Sequence, residues 1–140
     1  MRKFLTPLCL ILVLTGCSPQ QVQSWLGARN VHVTLAQAES IAQHLDRRSL
    51  DCFESVEAIF PEAAQPRMKM IVKRESGGNP LAKNKSSSAS GCTQMLKIHA
   101  ARFAKLGYSW DQRFVAYINV RVAYDLWEEQ GWSPWSLTAY

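Results

Sequence analysis

Pro66-Arg67-Met68-Lys69-Met70-Ile71-Val72-Lys73-Arg74-Glu75-Ser76-Gly77-Gly78-Asn79-Pro80 is the stretch on which the fold turns. Proline is tolerated in the first turn of a helix, and Gly-Gly-Asn-Pro stops one, so the helix has both ends written into it. Met68, Ile71, Val72 and Glu75 recur at i, i+3, i+4 and i+7. They share a face, and Glu75 therefore projects from the apolar side of its own helix. Partial burial and the negative end of the helix dipole both favour the proton-carrying form there, which is the form a general acid must hold.

Helical signals continue on either side. Thr34 with Gln37 forms a capping-box pattern ahead of Leu35, Ala38, Ile41, Ala42 and Leu45 at helical spacing. Asp51 with Glu54 opens a short helix that ends before Pro61. Ile98 to Leu106 reads as a helix closed by Gly107, and Ser109 with Gln112 caps a long helix from about Trp110 to Gln130. The stripe of that last helix is Phe114, Ile118, Val122 and Leu126, with Val115 and Ala123 beside it. Between these helices, Leu81 to Gln94 is irregular and has room for a loop or short strands. The expected class is mainly α, an α+β arrangement with a small helical domain and an irregular or short-β loop forming the cleft.

The N-terminal residues carry an address. Met1-Arg2-Lys3 is a basic start, and Phe4 to Leu14 is an apolar run too short for a transmembrane helix, which needs about 20 residues. Leu14-Thr15-Gly16-Cys17 then resembles a bacterial lipobox. The resemblance implies a signal peptide over 1–16, cleavage before Cys17 and lipidation of its sulfur. Acyl chains make a stable anchor at roughly 0.8 kcal/mol per buried CH₂. Ser18 after the cysteine resembles the outer-membrane sorting class, which points to an envelope location facing the periplasm. Residues 17–33, rich in Gln, read as lipidated cysteine and polar tether, leaving 34–140 as the globular domain.

Cleavage before Cys17 would remove 16 of 140 residues and leave 124, a length for one domain. Losing Arg2 and Lys3 takes the net charge from +5 to +3, mild for this length and no argument for nucleic acid. Hydrophobic residues at 47% and charged residues at 19% exclude a disordered chain. Nucleotide-binding glycine patterns, HExxH and CxxC do not occur. His32, His44 and His99 lack ligand spacing, so neither a metal nor another cofactor is expected; His32 and His44 read as polar surface and His99 as a helix face. In an exported chain Cys52 and Cys92 remain as an even pair. They form either a disulfide or two buried thiols.

An ordered set of residues carries the chemistry. Arg74-Glu75-Ser76-Gly77-Gly78-Asn79-Pro80 is followed by Ala82 and Asn84, then by Ser87-Ser88-Ala89-Ser90-Gly91-Cys92-Thr93-Gln94-Met95. Ile118-Asn119-Val120 comes next, and Gly131-Trp132-Ser133-Pro134-Trp135-Ser136 closes the set. Across about residues 52–137 this resembles the soluble lytic transglycosylase family of the lysozyme-like superfamily. That family shows Glu-Ser at a helix end, Asn-Pro-x-Ala, a Ser-x-Ala-x-Gly-Leu-x-Gln loop, a later Asn and an aromatic close. The resemblance implies that Glu75 is the single catalytic acid/base and that Ser76 steadies the turn beside it. It further implies that Ser87, Gln94 and Asn119 join Ser76 as substrate-site residues. Trp132 and Trp135 match the aromatic close and are expected to pack the core. Cys92-Thr93 depart from the usual Leu followed by Met or Phe, and Ser88 from a frequent glycine. These departures leave room for altered or lost activity, and the cysteine could tie the loop to Cys52.

Most glycosidases use two carboxylates. Between Glu75 and Asn119 only Asp111 is available, while Asp125, Glu128 and Glu129 read as solvent-facing. One carboxylate suffices in the scheme the resemblance implies. Glu75 protonates the oxygen linking MurNAc to GlcNAc, then takes the proton of the MurNAc C6 hydroxyl as it attacks within the same sugar and gives a 1,6-anhydro product. Intramolecular attack has a high effective molarity and needs no bound water. The implied partners are peptidoglycan glycan strands and the membrane through the anchor, with room for an envelope-machinery partner. A hydrolytic muramidase and a non-catalytic glycan- or partner-binding lipoprotein on the same scaffold stay open as alternatives.

Overall fold

The computed structural model describes residues 18–140, apart from the side chains of residues 48 and 49. The segment expected to be a signal peptide, 1–16, and the expected lipidation site Cys17 lie outside the described residues. The described chain is mainly helical and divides into two compact units, with the boundary between residues 49 and 50. The division falls later than the boundary at residue 34 expected from the sequence.

In the first unit, α1 (Pro19–Gly27) occupies the stretch expected to be a tether. Ser18 and Gln21 explain it, because they form a reciprocal capping box with Pro19 in the first turn. α2 (Leu35–Ser49) begins at the expected Thr34–Gln37 box. Val22 of α1 packs with Ala38 and Ala42 of α2, and Leu26, Val33 and Ile41 lie against them. Gln23 adds a bond from Nε2 to the Val33 carbonyl, 2.9 Å. The buried stripe of α2 is narrower than expected, since Leu35 and Leu45 are exposed. His32 and His44 are exposed as well. No helix among the described residues is long and apolar enough to cross a membrane.

The second unit begins with α3 (Cys52–Ile59), capped by Asp51, which accepts from Phe53 N and Glu54 N, while Glu54 reaches back to Asp51 N. A short 3-10 turn over Glu62–Ala64 leads into α4 (Gln65–Ser76), with Pro66 in its first turn. Gly77 closes α4 at φ +64°, in the left-handed region that glycine enters without strain. α5 (Ala100–Lys105) follows a 3-10 turn over Lys97–His99, so the expected helix starts late, and Ile98 is exposed outside it.

The long helix expected from Trp110 is two pieces. Ser109 and Gln112 do form their capping box, but on a 3-10 turn over Trp110–Phe114. Val115 is extended, and α6 (Ala116–Gln130) begins behind it. α6 is the centre of the core. Ile118, Val120, Val122, Ala123 and Leu126 pack with Val56 and Phe60 near α3 and with Met68, Ile71 and Val72 of α4. Phe103 of α5 completes the set of large buried side chains. Each such side chain contributes roughly 1.5–3 kcal/mol through burial. Asp125 also differs from the expectation of a solvent-facing carboxylate. Its side chain is largely buried and pairs with Arg102, whose other arm holds Glu129.

Candidate active site

Met68, Ile71 and Val72 are fully buried, and Glu75 on the same face is half-buried in the last turn of α4. Glu75 Oε1 accepts a 2.7 Å bond from the Thr138 hydroxyl. Thr138 was not singled out by the sequence reading. Nothing local marks it, because the contact spans 63 residues and is made by the folded chain.

Ser76 faces the loop. Its Oγ donates toward the Cys92 carbonyl at 2.8 Å and lies 3.1 Å from the Val72 carbonyl, and it accepts from Gly78 N at 3.2 Å. This hydroxyl couples the end of α4 to the loop, which places the loop beside Glu75. Gly78 is fitted there with φ +82°, and an added Cβ would come within 2.5 Å of the Phe53 ring.

Leu81 to Met95 is a loop with two isolated antiparallel bridges, Lys83 to Ser90 and Ser90 to Met95. It is fixed from several directions. Cys92 is bonded to Cys52, which settles the two alternatives for that pair in favour of the disulfide. Asn119 of α6 is fully buried and spends its whole amide on the loop and its approach. Oδ1 accepts from Thr93 N at 3.0 Å and Thr93 Oγ1 at 2.8 Å, while Nδ2 donates to the Ser90 and Arg113 carbonyls at 3.1 and 2.9 Å. Asn119 was expected at the substrate, and here it supports the loop instead. Gly91 lets the two close together, since an added Cβ would sit 2.2 Å from Asn119 Nδ2 and 2.5 Å from the Arg113 carbonyl. Trp135 is buried and donates from Nε1 to the Thr93 carbonyl at 3.1 Å. It therefore packs the core, as expected of the aromatic close. Trp132 is half-buried against Trp127.

Gln94 sits at φ +53°, a conformation rare outside glycine, and its Nε2 donates to the Gly91 carbonyl at 3.0 Å and lies 3.4 Å from that of Ala82. It lines a small recess with Thr93, His99 and Trp135 whose lining does not include Glu75. Ser87 is exposed and accepts from Ala89 N within its own loop, 3.2 Å. Thus Glu75, Ser76 and the Gly91–Gln94 turn are brought together with Asn119 behind them, and Ser87 stands on the outer part of the loop.

The other carboxylates of residues 50–140 are used elsewhere or exposed. Asp51 and Glu54 cap α3, Glu57 pairs with Lys69, and Glu62 is exposed. Asp111 is 97% exposed beside Arg113, Asp125 and Glu129 pair with Arg102, and Glu128 accepts from the Tyr124 hydroxyl at 2.8 Å. Hydrogen bonds from Arg102 hold the Glu129 carboxyl below its ordinary range, and that from Tyr124 to Glu128 pushes the tyrosine up. Burial, then the Arg102 charge, lowers the imidazole of His99 against a smaller opposing effect of Glu129. Among the described residues, no group of three or more His, Cys, Asp or Glu gathers as a metal site would require. Comparison with protein-family models, curated proteins and solved structures finds no match for this chain.

Proposed function

We propose that this chain is a peptidoglycan lytic transglycosylase with a lysozyme-like second unit and Glu75 as its single acid/base. The observation that carries the reading is the isolation of Glu75. Of the carboxylates in residues 50–140, it alone stands half-buried at a helix end beside a pinned loop without serving as a cap or an ion-pair partner. A general acid needs that setting, because a carboxyl tied to a guanidinium does not give up a proton to a sugar oxygen.

In this reading Glu75 protonates the oxygen between MurNAc and GlcNAc as the bond to the anomeric carbon breaks. The substrate's N-acetyl group stabilises the positive carbon. Glu75 then takes the proton of the C6 hydroxyl, which closes the 1,6-anhydro ring. The loop from Ser87 to Gln94 borders the glycan, and Asn119 acts through that loop. Of the departures from the family pattern, Cys92 and Thr93 serve as the loop's fixings, which favours a retained site over a decayed one, and Ser88 stands on the exposed outer part. The Leu14-Thr15-Gly16-Cys17 run supports placing the enzyme in the bacterial envelope on a lipid anchor at Cys17.

The test is mass spectrometry of muropeptides released from purified sacculi by residues 18–140 and by Glu75→Gln. Anhydro-MurNAc ends from the wild type, falling by about 10²- to 10⁴-fold or more in the variant, are expected. Reducing ends would move the assignment to a muramidase. A folded protein that binds sacculi and cuts nothing would make it a binding protein.

A further inference from the structure

The hydroxyl that meets Glu75 is held with care by the rest of the fold. Thr138 Oγ1 lies 2.7 Å from Glu75 Oε1 and 3.4 Å from the Trp135 carbonyl, so its hydrogen is directed at the carboxylate. The segment around it is gripped by arginines of α4 itself. Arg67 Nε donates to the Ala139 carbonyl at 3.0 Å, and its guanidinium stands 4.0 Å from the centre of the Tyr140 ring. Arg74 Nη1 donates to the carbonyls of Thr138 and Tyr140 at 2.8 and 2.5 Å. Arg67 and Arg74 are seven residues apart and share a helix face. On the other side, Thr138 N and Ala139 N donate to the Trp135 carbonyl, and Trp135 is bonded to the loop at Thr93. Ala139 is buried. The backbone of Thr138 is thus tied both to the helix that carries Glu75 and to the loop beside it.

A carboxyl group bears its proton on one oxygen. The oxygen that accepts a short bond from a hydroxyl is the carbonyl-like one, and the proton goes to the other. Oε2 of Glu75 has no partner among the described residues. We propose that Thr138 is a positioning residue for Glu75. It fixes the carboxyl rotamer and reserves Oε2 as the oxygen that gives and regains the proton, an inference that rests on the transglycosylase reading. The proton on Oε2 passes to the glycosidic oxygen as that oxygen takes the electron pair of the breaking bond. The proton of the C6 hydroxyl later returns to Oε2, and Thr138 keeps its own hydrogen throughout. Its bond to Oε1 becomes charge-assisted once Glu75 is a carboxylate, so it is stronger in the transition state than in the protonated ground state.

The experiment compares wild type, Glu75→Gln, Thr138→Val, Thr138→Ala and Thr138→Ser, each checked for folding by far-UV circular dichroism. Valine removes the hydroxyl at nearly constant volume, alanine is a second hydroxyl-free variant, and serine keeps the donor. On soluble glycan strands, kcat should fall about 10- to 100-fold in the valine and alanine variants with KM within about twofold, and serine should recover most of it. The carbon-13 resonance of the Glu75 carboxyl should move in the hydroxyl-free variants and return with serine. Wild-type kcat in folded Thr138→Val, with Glu75→Gln inactive, would overturn the proposal and leave the transglycosylase reading standing. Equal losses in the serine and valine variants would overturn it too, by assigning the effect to packing. If the wild type cuts nothing, the activity reading fails and the proposed catalytic role with it, while the Glu75 resonance still reports whether Thr138 holds that carboxyl.

Discussion

Replacing Asn119 with alanine should cost about 3 kcal/mol of stability, and the sum can be worked from its partners. Four hydrogen bonds disappear, two at Oδ1 and two at Nδ2. They are not equal. The Thr93 hydroxyl can rotate, and the Ser90 carbonyl keeps its bond from Met95 N at 3.0 Å. Thr93 N–H has no such substitute and becomes a buried orphan, at about 1–3 kcal/mol. The other three bonds contribute about 0.5–1.5 kcal/mol each, reduced where water fills the space that the amide leaves. Urea unfolding followed by far-UV circular dichroism and tryptophan fluorescence measures the loss. A double-variant cycle with Gly91→Ala adds a sharper check. A Cβ on Gly91 collides with Asn119 Nδ2, so truncating Asn119 should relieve part of the Gly91→Ala penalty. Part of it must persist, because the Arg113 carbonyl at 2.5 Å and φ +80° remain. A cost below about 1 kcal/mol for Asn119→Ala, or strict additivity in the cycle, would refute the view that this asparagine closes the loop.

The disulfide and the titrating groups give further tests. Replacing Cys52 and Cys92 together with alanine should remove about 4 kcal/mol, because the bridge spans 40 residues of chain, and urea unfolding would show it. For His99 the folded chain resists protonation more than the unfolded one, whose ordinary value is 6.5. Stability should therefore fall as pH drops from about 6.5 toward the lowered folded value, and His99→Gln should flatten that limb of a thermal-melt series. Glu129 works at lower pH. Its carboxyl is depressed by Arg102, so its contribution is present above about 4.5 and is lost as pH falls through the depressed value, which Glu129→Gln should remove.

Much of both units is legible in the residues. The Met68, Ile71, Val72 and Glu75 periodicity finds α4, and three capping boxes, at Thr34, Asp51 and Ser109, mark real starts. α1 escapes a periodicity search because only Val22 is buried on it, and its local marks are the Ser18–Gln21 box and Pro19 in the first turn. The break at Val115 is accompanied by a side-chain bond that no periodicity marks. Nδ2 of Asn119 takes the Arg113 carbonyl, and the helix restarts with Asn119 N on the Val115 carbonyl. At the candidate site, sequence order singles out Glu75 and Ser76 as candidates, and their surroundings follow from helix geometry. It does not separate residues that border a ligand from residues that hold the border in place. Asn119 and Gln94 show why, since an amide in a motif looks the same whether it faces outward or bonds to carbonyls of its own loop.

That distinction decides how the loop can vary. Cys92, Thr93 and Gly91 are bound to α3, to α6 and to Trp135, and the Cys92 carbonyl is itself the acceptor for Ser76. A change within 91–93 is therefore transmitted to the last turn of α4, one residue from Glu75. Ser86, Ser87 and Ser88 are exposed, and their bonds stay near the loop, to Asn84, Ala89 and Lys97. Substitution there leaves the fixings of residues 91–93 intact. On the proposed transglycosylase reading, the outer serines set which glycan is accepted without moving Glu75, and the inner turn cannot. That reading thus assigns substrate preference to the outer part of the loop and support of Glu75 to the inner part, with the disulfide and the Asn119 amide on the side that must not move.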